Sequence, residues 1–196
     1  MNPRNLARHP AWRAFAFREG AAGLDNGGHH MQEIYDVGFA KDGQGYYTTR
    51  LVRDEEIIQL STHIIGQRLL CGEPLESPRD SARYLQHRTA LLEHEVFGMI
   101  WLDNRNRVIA VDELFRGTIN GTAVYPREIV KAALTHNAAV AIAWHNHPTG
   151  NPEPSRADEV LTGKLKAALE VIDVRLLDHL VVGGEGVVSF SERGLL

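Results

Sequence analysis

The sequence predicts an α/β fold, a mixed β-sheet flanked by helices, with a small N-terminal extension in front of it. Short runs that are apolar on both faces alternate with segments whose apolar residues recur at helical spacing. In layered α/β domains that alternation arises because helices cover the sheet. Composition agrees: 196 residues, 43% hydrophobic and 23% charged, suffice for one substantial core in an ordinary soluble globular chain.

Residues 1–53 differ from the rest. Between Met1 and Gly20 the cations Arg4, Arg8, Arg13 and Arg18 stand against a single acid, Glu19, and Gly20 to Gly28 is flexible in composition. This stretch reads as a loose, partly disordered arm, with His29 and His30 solvated. A helical lead-in over residues 54–75 follows. Asp54 can cap its helix, Ile57, Ile58, Leu60, Ile64, Ile65 and Leu69 form the apolar face, and Gly72 fits the stop.

Residues 76–196 make the main domain. A shorter helix follows Pro78, and Glu95 to Leu102 reads as a central strand ended by the polar turn Asp103-Asn104-Arg105-Asn106. Val108 to Phe115 is its hairpin partner. Pro126 opens a helix through His136, Ala138 to Trp144 is a buried strand, and Ser155 to Val171 is an amphipathic helix. Strands around Leu176 to Val182 and Val187 to Phe190 complete the sheet. Trp101 and Trp144 belong to the core, and Arg127 and Glu128 decorate the helix after Pro126.

A formal net charge of −4 argues against a chain-wide electrostatic footprint for nucleic acid, so any DNA contact would be local, through the basic arm. No apolar run approaches the roughly 20 residues that span a bilayer, and no secretory signal opens the chain, so the expected location is the cytoplasm. The single cysteine, Cys71, forms no internal disulfide, suits a reducing compartment and excludes a zinc site built from several thiolates. It reads as a small apolar filler at a helix end.

The chemistry concentrates after Trp144, in His145-Asn-His-Pro-Thr-Gly-Asn-Pro-Glu-Pro-Ser155-Arg-Ala-Asp158. Residues two apart on a strand point the same way, so His145 and His147 present both imidazoles to one point while Asn146 faces away. Pro148, Gly150, Pro152 and Pro154 stiffen the loop, and Ser155 is a natural N-cap that places Asp158 in a first helical turn. Two nitrogens and one oxygen with a fourth position left for water describe a catalytic metal site. Zinc suits that set best, although manganese or iron would also bind it. Taken singly, each residue has a plainer role: a histidine at a strand end is usually structural, and Ser155 with Asp158 satisfies a capping box. The combination favours a metal. Glu95, a carboxylate opening an apolar strand, can serve as general acid/base for a metal-activated water; Glu93 and Glu113 are its rivals, and periodicity does not choose among them. His179, beside Asp178, could orient a group behind the site, but it lies in an apolar strand pattern, where a satisfied core histidine is the stronger expectation.

These residues carry a resemblance. His-x-His, seven intervening residues, Ser, two residues and Asp match the JAMM signature of the MPN metalloprotease superfamily, and Glu95-Val-Phe-Gly98 is similar to its catalytic-glutamate segment, which selects Glu95. His-Asn-His-Pro-Thr-Gly150 resembles the RadC motif, as do Phe115-Arg-Gly-Thr118, Tyr125-Pro-Arg-Glu128, Leu177-Asp-His-Leu180 and Ser191-Glu-Arg-Gly-Leu-Leu196. The likeness covers Asp54 to Leu196. Thr149 departs from the serine common there, and the helix-hairpin-helix unit of longer RadC proteins is not evident, so a short form is expected. The resemblance implies an MPN fold with a cytidine-deaminase-like sheet, one Zn2+ per chain on His145, His147 and Asp158, and Glu95 and Ser155 as catalytic residues. It also implies a metallopeptidase or isopeptidase that cleaves an amide bond of a peptide or protein substrate, Ser155 steadying the oxyanion.

Other classes fit less well. HNH nucleases disperse their motif through a ββα unit, deaminases need a Pro-Cys-x-x-Cys segment, and Ser155 lacks a nucleophile elbow. The non-enzyme alternative is a DNA-repair or mobile-element accessory protein of the RadC type with a structural metal.

Overall fold

The computed structural model describes residues 37–39, 46–48, 51–69, 75, 78–117 and 122–196. The basic arm, Cys71 and Gly72 lie outside the described residues. The chain divides into two compact units between Ile64 and Ile65. In the first, strands β1 (Val37–Phe39) and β2 (Tyr46–Thr48) pair antiparallel, and helix α1 (Asp54–Leu69) begins. Its first turn carries Asp54, Glu55 and Glu56, acids that complement the positive end of the helix. Asp54 sits inside that turn rather than capping it. The Glu56 carboxylate instead accepts from the backbone N–H of Arg53 at 2.9 Å, because a side chain three residues into a helix reaches back to the residue before it. The apolar face predicted for α1 is incomplete, since Ile57 is 51% exposed.

The second unit contains α2 (Pro78–Thr89), β3 (Val96–Leu102), β4 (Val108–Arg116), α3 (Pro126–Thr135), β5 (Val140–Asn146), α4 (Arg156–Glu170), β6 (Arg175–Gly183) and β7 (Gly186–Ser189). The five strands lie in the order β4-β3-β5-β6-β7. Only β5 and β6 run parallel, joined through α4, so the sheet is mixed as the sequence predicts. Every residue of β3 and β5 is buried, the signature of strands covered on both faces. On one face Phe97, Met99, Trp101, Ala141 and Ala143 pack with Ile129 and Ala133 of α3 and Leu165 and Leu169 of α4. Small alanines in β5 let those helices approach the sheet. On β6 and β7 packs α2, with Tyr84 and Leu85 wholly buried.

Two details set the site. Strand β5 runs to Asn146, so His145 belongs to the ladder, opposite Phe97 of β3. In β6 the register slips: Leu176 pairs with Ala141, yet His179 pairs with Ala143, leaving Leu177 as a bulge. The extra residue turns His179 to the same face as Leu176.

Gly98 is where the two central strands admit no side chain. A Cβ there would lie 2.2 Å from the carbonyl oxygen of Asp112 and 2.3 Å from the Trp144 ring, both fixed in the core. At Gly163, inside α4, a Cβ meets nothing within 4 Å. The two glycines should therefore respond to alanine with opposite signs. Gly98→Ala is expected to destabilise by about 3 kcal/mol or more, at or beyond the usual range for overpacking. Gly163→Ala should stabilise by about 0.5–1 kcal/mol through helix propensity. Urea unfolding of both variants checks this, and equal behaviour would refute it.

Candidate metal centre

His147 follows β5 directly, and its N–H continues the ladder by donating to the Val182 carbonyl at 2.8 Å. The two-residue spacing therefore holds past the strand end, and the Nε2 atoms of His145 and His147 meet at 3.0 Å. The proline-rich loop then folds back over the β6–β7 turn. Gly150 takes φ +91° and accepts from the N–H of Glu185 at 3.2 Å, and a Cβ on Gly183 would lie 2.3 Å from the Gly150 oxygen. This tight return brings Ser155 to the N-cap of α4 and Asp158 to its third position.

Both halves of the capping box form. The Ser155 hydroxyl and N–H donate to Oδ2 of Asp158 at 2.6 and 2.7 Å, while the Asp158 N–H donates to Ser155 Oγ at 3.2 Å. The cap orients the carboxylate: Oδ1 lies 3.6 Å from His145 Nε2, and Oδ2 lies 3.9 Å from His147 Nε2. The capping box and the candidate metal site, rivals in the sequence, thus coexist: both cap contacts to the carboxylate go to Oδ2, and the carboxylate still faces the two imidazoles. His145, His147 and Asp158 are the group among the described residues that could hold a metal ion, with ligand atoms within 4.8 Å of one another. A tetrahedral ion with bonds of about 2.05 Å separates its ligands by roughly 3.3 Å, so the separations fit such an ion.

Each imidazole has a partner behind it. His147 Nδ1 faces the Asn151 carbonyl at 2.8 Å. His145 Nδ1 faces His179 Nε2 at 2.9 Å, and His179 Nδ1 faces the Thr162 hydroxyl at 2.6 Å. His179 is wholly buried, as expected of a core histidine, and it also contacts His145, as the weaker expectation of an orienting role requires. Strict alternation along β6 hides this, because the bulge at Leu177 changes which side chains share a face. Burial pushes the His145 pKa down to about 4, against the pull of Asp158 and with the push of His147. Burial likewise holds His179 well below its ordinary value, helped by His145 and His147.

Glu95 immediately precedes β3. With Phe97 opposite His145, alternation places Glu95 on the histidine face. Asn146, on the other face, clamps it there: its amide oxygen accepts from the Val96 N–H at 2.8 Å and its NH2 donates to the His94 carbonyl at 3.1 Å. The peptide groups on both sides of Glu95 are thus tied to the residue between the two histidines. Burial raises the Glu95 pKa, while a hydrogen bond from Thr122 and the nearby His147 pull it down and Asp158 pushes it up. Glu93 and Glu113 are exposed, and Glu113 pairs with Arg88 at 3.0 Å. One cleft of about 540 Å3 is lined by Glu95, His145, His147, Ser155 and Asp158, with Phe97, Val124 and Leu161 as apolar walls and Thr122 beside them. Sequence reading brought the first five together but missed Thr122, Thr162 and the clamping role of Asn146.

The two buried histidines give stability a pH dependence. Their folded-state values lie below the ordinary 6.5, so between pH 6.5 and about 4 the unfolded chain takes up protons that the folded chain refuses. Their contribution is complete above about 6.5 and is lost as the pH falls. Thermal unfolding in the presence of a chelator should show a midpoint that drops steeply over this window. A midpoint flat from pH 7 to 4.5 would contradict it.

Comparison with known proteins extends the geometry. Residues 75–195 match the family model of the RadC-like JAB domain. A UPF0758 protein of Marinobacter nauticus is 48% identical over 153 residues, covering 78% of this chain and 68% of that protein. One from Methylibium petroleiphilum is 52% identical over 140 residues, 71% of this chain and 63% of its own length, and one from Nitrosococcus oceani 54% over 139 residues, 71% and 62%. The chain spans about two thirds of the length of these relatives. It belongs to the RadC family, and its mixed sheet with flanking helices is a JAB/MPN-type domain.

Proposed function

We propose that this protein is a zinc-dependent hydrolase of the JAMM type, a metallopeptidase or isopeptidase cleaving an amide bond in a peptide or protein substrate. One observation carries the reading: a half-buried carboxylate with a raised pKa, Glu95, lines the same cleft as two imidazole nitrogens and a carboxylate oxygen that converge at metal-binding distances. His145, His147 and Asp158 would hold the ion. When bound, zinc supplies Lewis-acid chemistry, acidifying a water and polarising a carbonyl.

The remaining work belongs to the chain. Glu95, held by Thr122 and by the Asn146 clamp on its backbone, takes a proton from the attacking water and delivers it to the leaving amine; its raised pKa suits a group that must do both. Ser155 turns its hydroxyl from Asp158 to the developing oxyanion. Phe97, Val124 and Leu161 give the cleft an apolar wall that lowers the local dielectric and strengthens these contacts. Among the described residues no helix is long and apolar enough to cross a membrane. A cytoplasmic location remains part of the proposal.

Two sets of variants test it. Purified protein should contain about one zinc per chain, and His145→Ala with His147→Ala should remove most of it by elemental analysis; full retention would sink the ligand assignment. Glu95→Gln keeps the shape and the zinc but cannot accept the proton, so turnover of a peptide or isopeptide substrate should fall by about 10²–10⁴-fold with unfolding temperature unchanged. Loss of zinc in Glu95→Gln would make Glu95 a ligand. Zinc-loaded wild type that turns over nothing in a broad peptide and isopeptide screen would favour the accessory-protein reading with a structural metal.

A further inference from the structure

The contacts behind His145 form a chain whose donors and acceptors can be assigned by counting hydrogens. Thr162 Oγ1 lies 2.6 Å from the Asp158 carbonyl, one turn back in α4, and 2.6 Å from His179 Nδ1. A carbonyl has no hydrogen to give, so it takes the only one on the hydroxyl. Toward His179 the Thr162 oxygen is then the acceptor and Nδ1 the donor. His179 is 0% exposed and, among the described residues, no carboxylate hydrogen-bonds its ring, so the ring holds that one proton and Nε2 carries a lone pair. At the 2.9 Å contact His145 Nδ1 must therefore donate.

We propose that Thr162 and His179 are positioning residues that lock His145 in the Nδ1–H tautomer, leaving its Nε2 bare toward the metal position. The proposal rests on the reading of His145 as a ligand. His147 Nδ1 donates in the same way to the Asn151 carbonyl, so the Nε2 atoms of both rings are the ones turned to the metal position, 3.0 Å from each other. The far end of the relay is the backbone of Asp158, so the third ligand residue and His145 are joined through the core as well as across the site. Without the Thr162 hydroxyl, His179 is free to move its proton to Nε2, donate to His145 Nδ1, and drive the His145 proton to the nitrogen that should bind metal.

Proton–nitrogen correlation spectra of the metal-stripped wild type, labelled with ¹⁵N-histidine and assigned with a His145→Gln variant, read the tautomer directly. The proton is expected on Nδ1 of His145, and a proton on Nε2 overturns the relay. Zinc affinity by chelator competition is the second measurement. Thr162→Val should weaken it about 10–100-fold, the usual effect of losing support behind a ligand, whereas Thr162→Ser, which keeps the hydroxyl, should bind almost as wild type does. Wild-type affinity in a folded Thr162→Val protein overturns the proposal. If that variant does not fold, the wild-type spectrum decides alone. Wild type that binds no zinc refutes the metal reading, and the same spectrum still decides the relay.

Discussion

The pairing of β3 with β5 is the constraint from which the site follows. Glu95 and the histidines lie some 50 residues apart in sequence and meet only because Phe97 sits opposite His145. Register errors in a sheet come in steps of one residue, and one step would turn Glu95 to the opposite face. The Asn146 amide excludes that step by filling both its oxygen and its NH2 with the backbone groups flanking Glu95. Truncating it would leave a buried N–H and a carbonyl short of partners, at about 1–3 kcal/mol each. Gly98 permits the same pairing from the other side, since the Trp144 ring occupies the space any side chain there would need.

The parallel pair β5·β6 has a different role. Parallel neighbours end side by side, so the loop after His147 and the turn after Gly183 are adjacent and close on each other through Gly150. That closure fixes where α4 starts, and its capping box fixes where the Asp158 carboxylate points. Strand pairing, loop closure and helix cap together thus set where each candidate ligand lies.

Local features of the fold were legible in the sequence, and features set by pairing were not. Ser155, Asp158 and the His145–His147 spacing announce themselves because capping and strand alternation act over two to four residues. Pro126 marks the start of α3 for the same reason. Three acids in a row leave the start of α1 open in the sequence, so Asp54 looks able to cap it, and the Glu56 side chain decides the boundary. For His179 the core reading outweighs an orienting role in the sequence, because a bulge cannot be seen in a run of apolar residues. Thr122 precedes a helix with no pattern tying it to Glu95, and Thr162 looks like any buried threonine until the partner across α4 and β6 is known.

The candidate ligands all come from β5, its loop and α4, while Glu95, the proposed acid/base, stands just before β3. On the proposed reading, holding the ion and transferring the proton fall to different segments, tied by the β3–β5 pairing and the Asn146 clamp. A lineage could lose chemistry by drifting in the short stretch around Glu95 and still keep the ion as a brace between strand and helix. Within one fold, enzymes and inert scaffolds would then look alike at the histidines and differ at the entrance to β3.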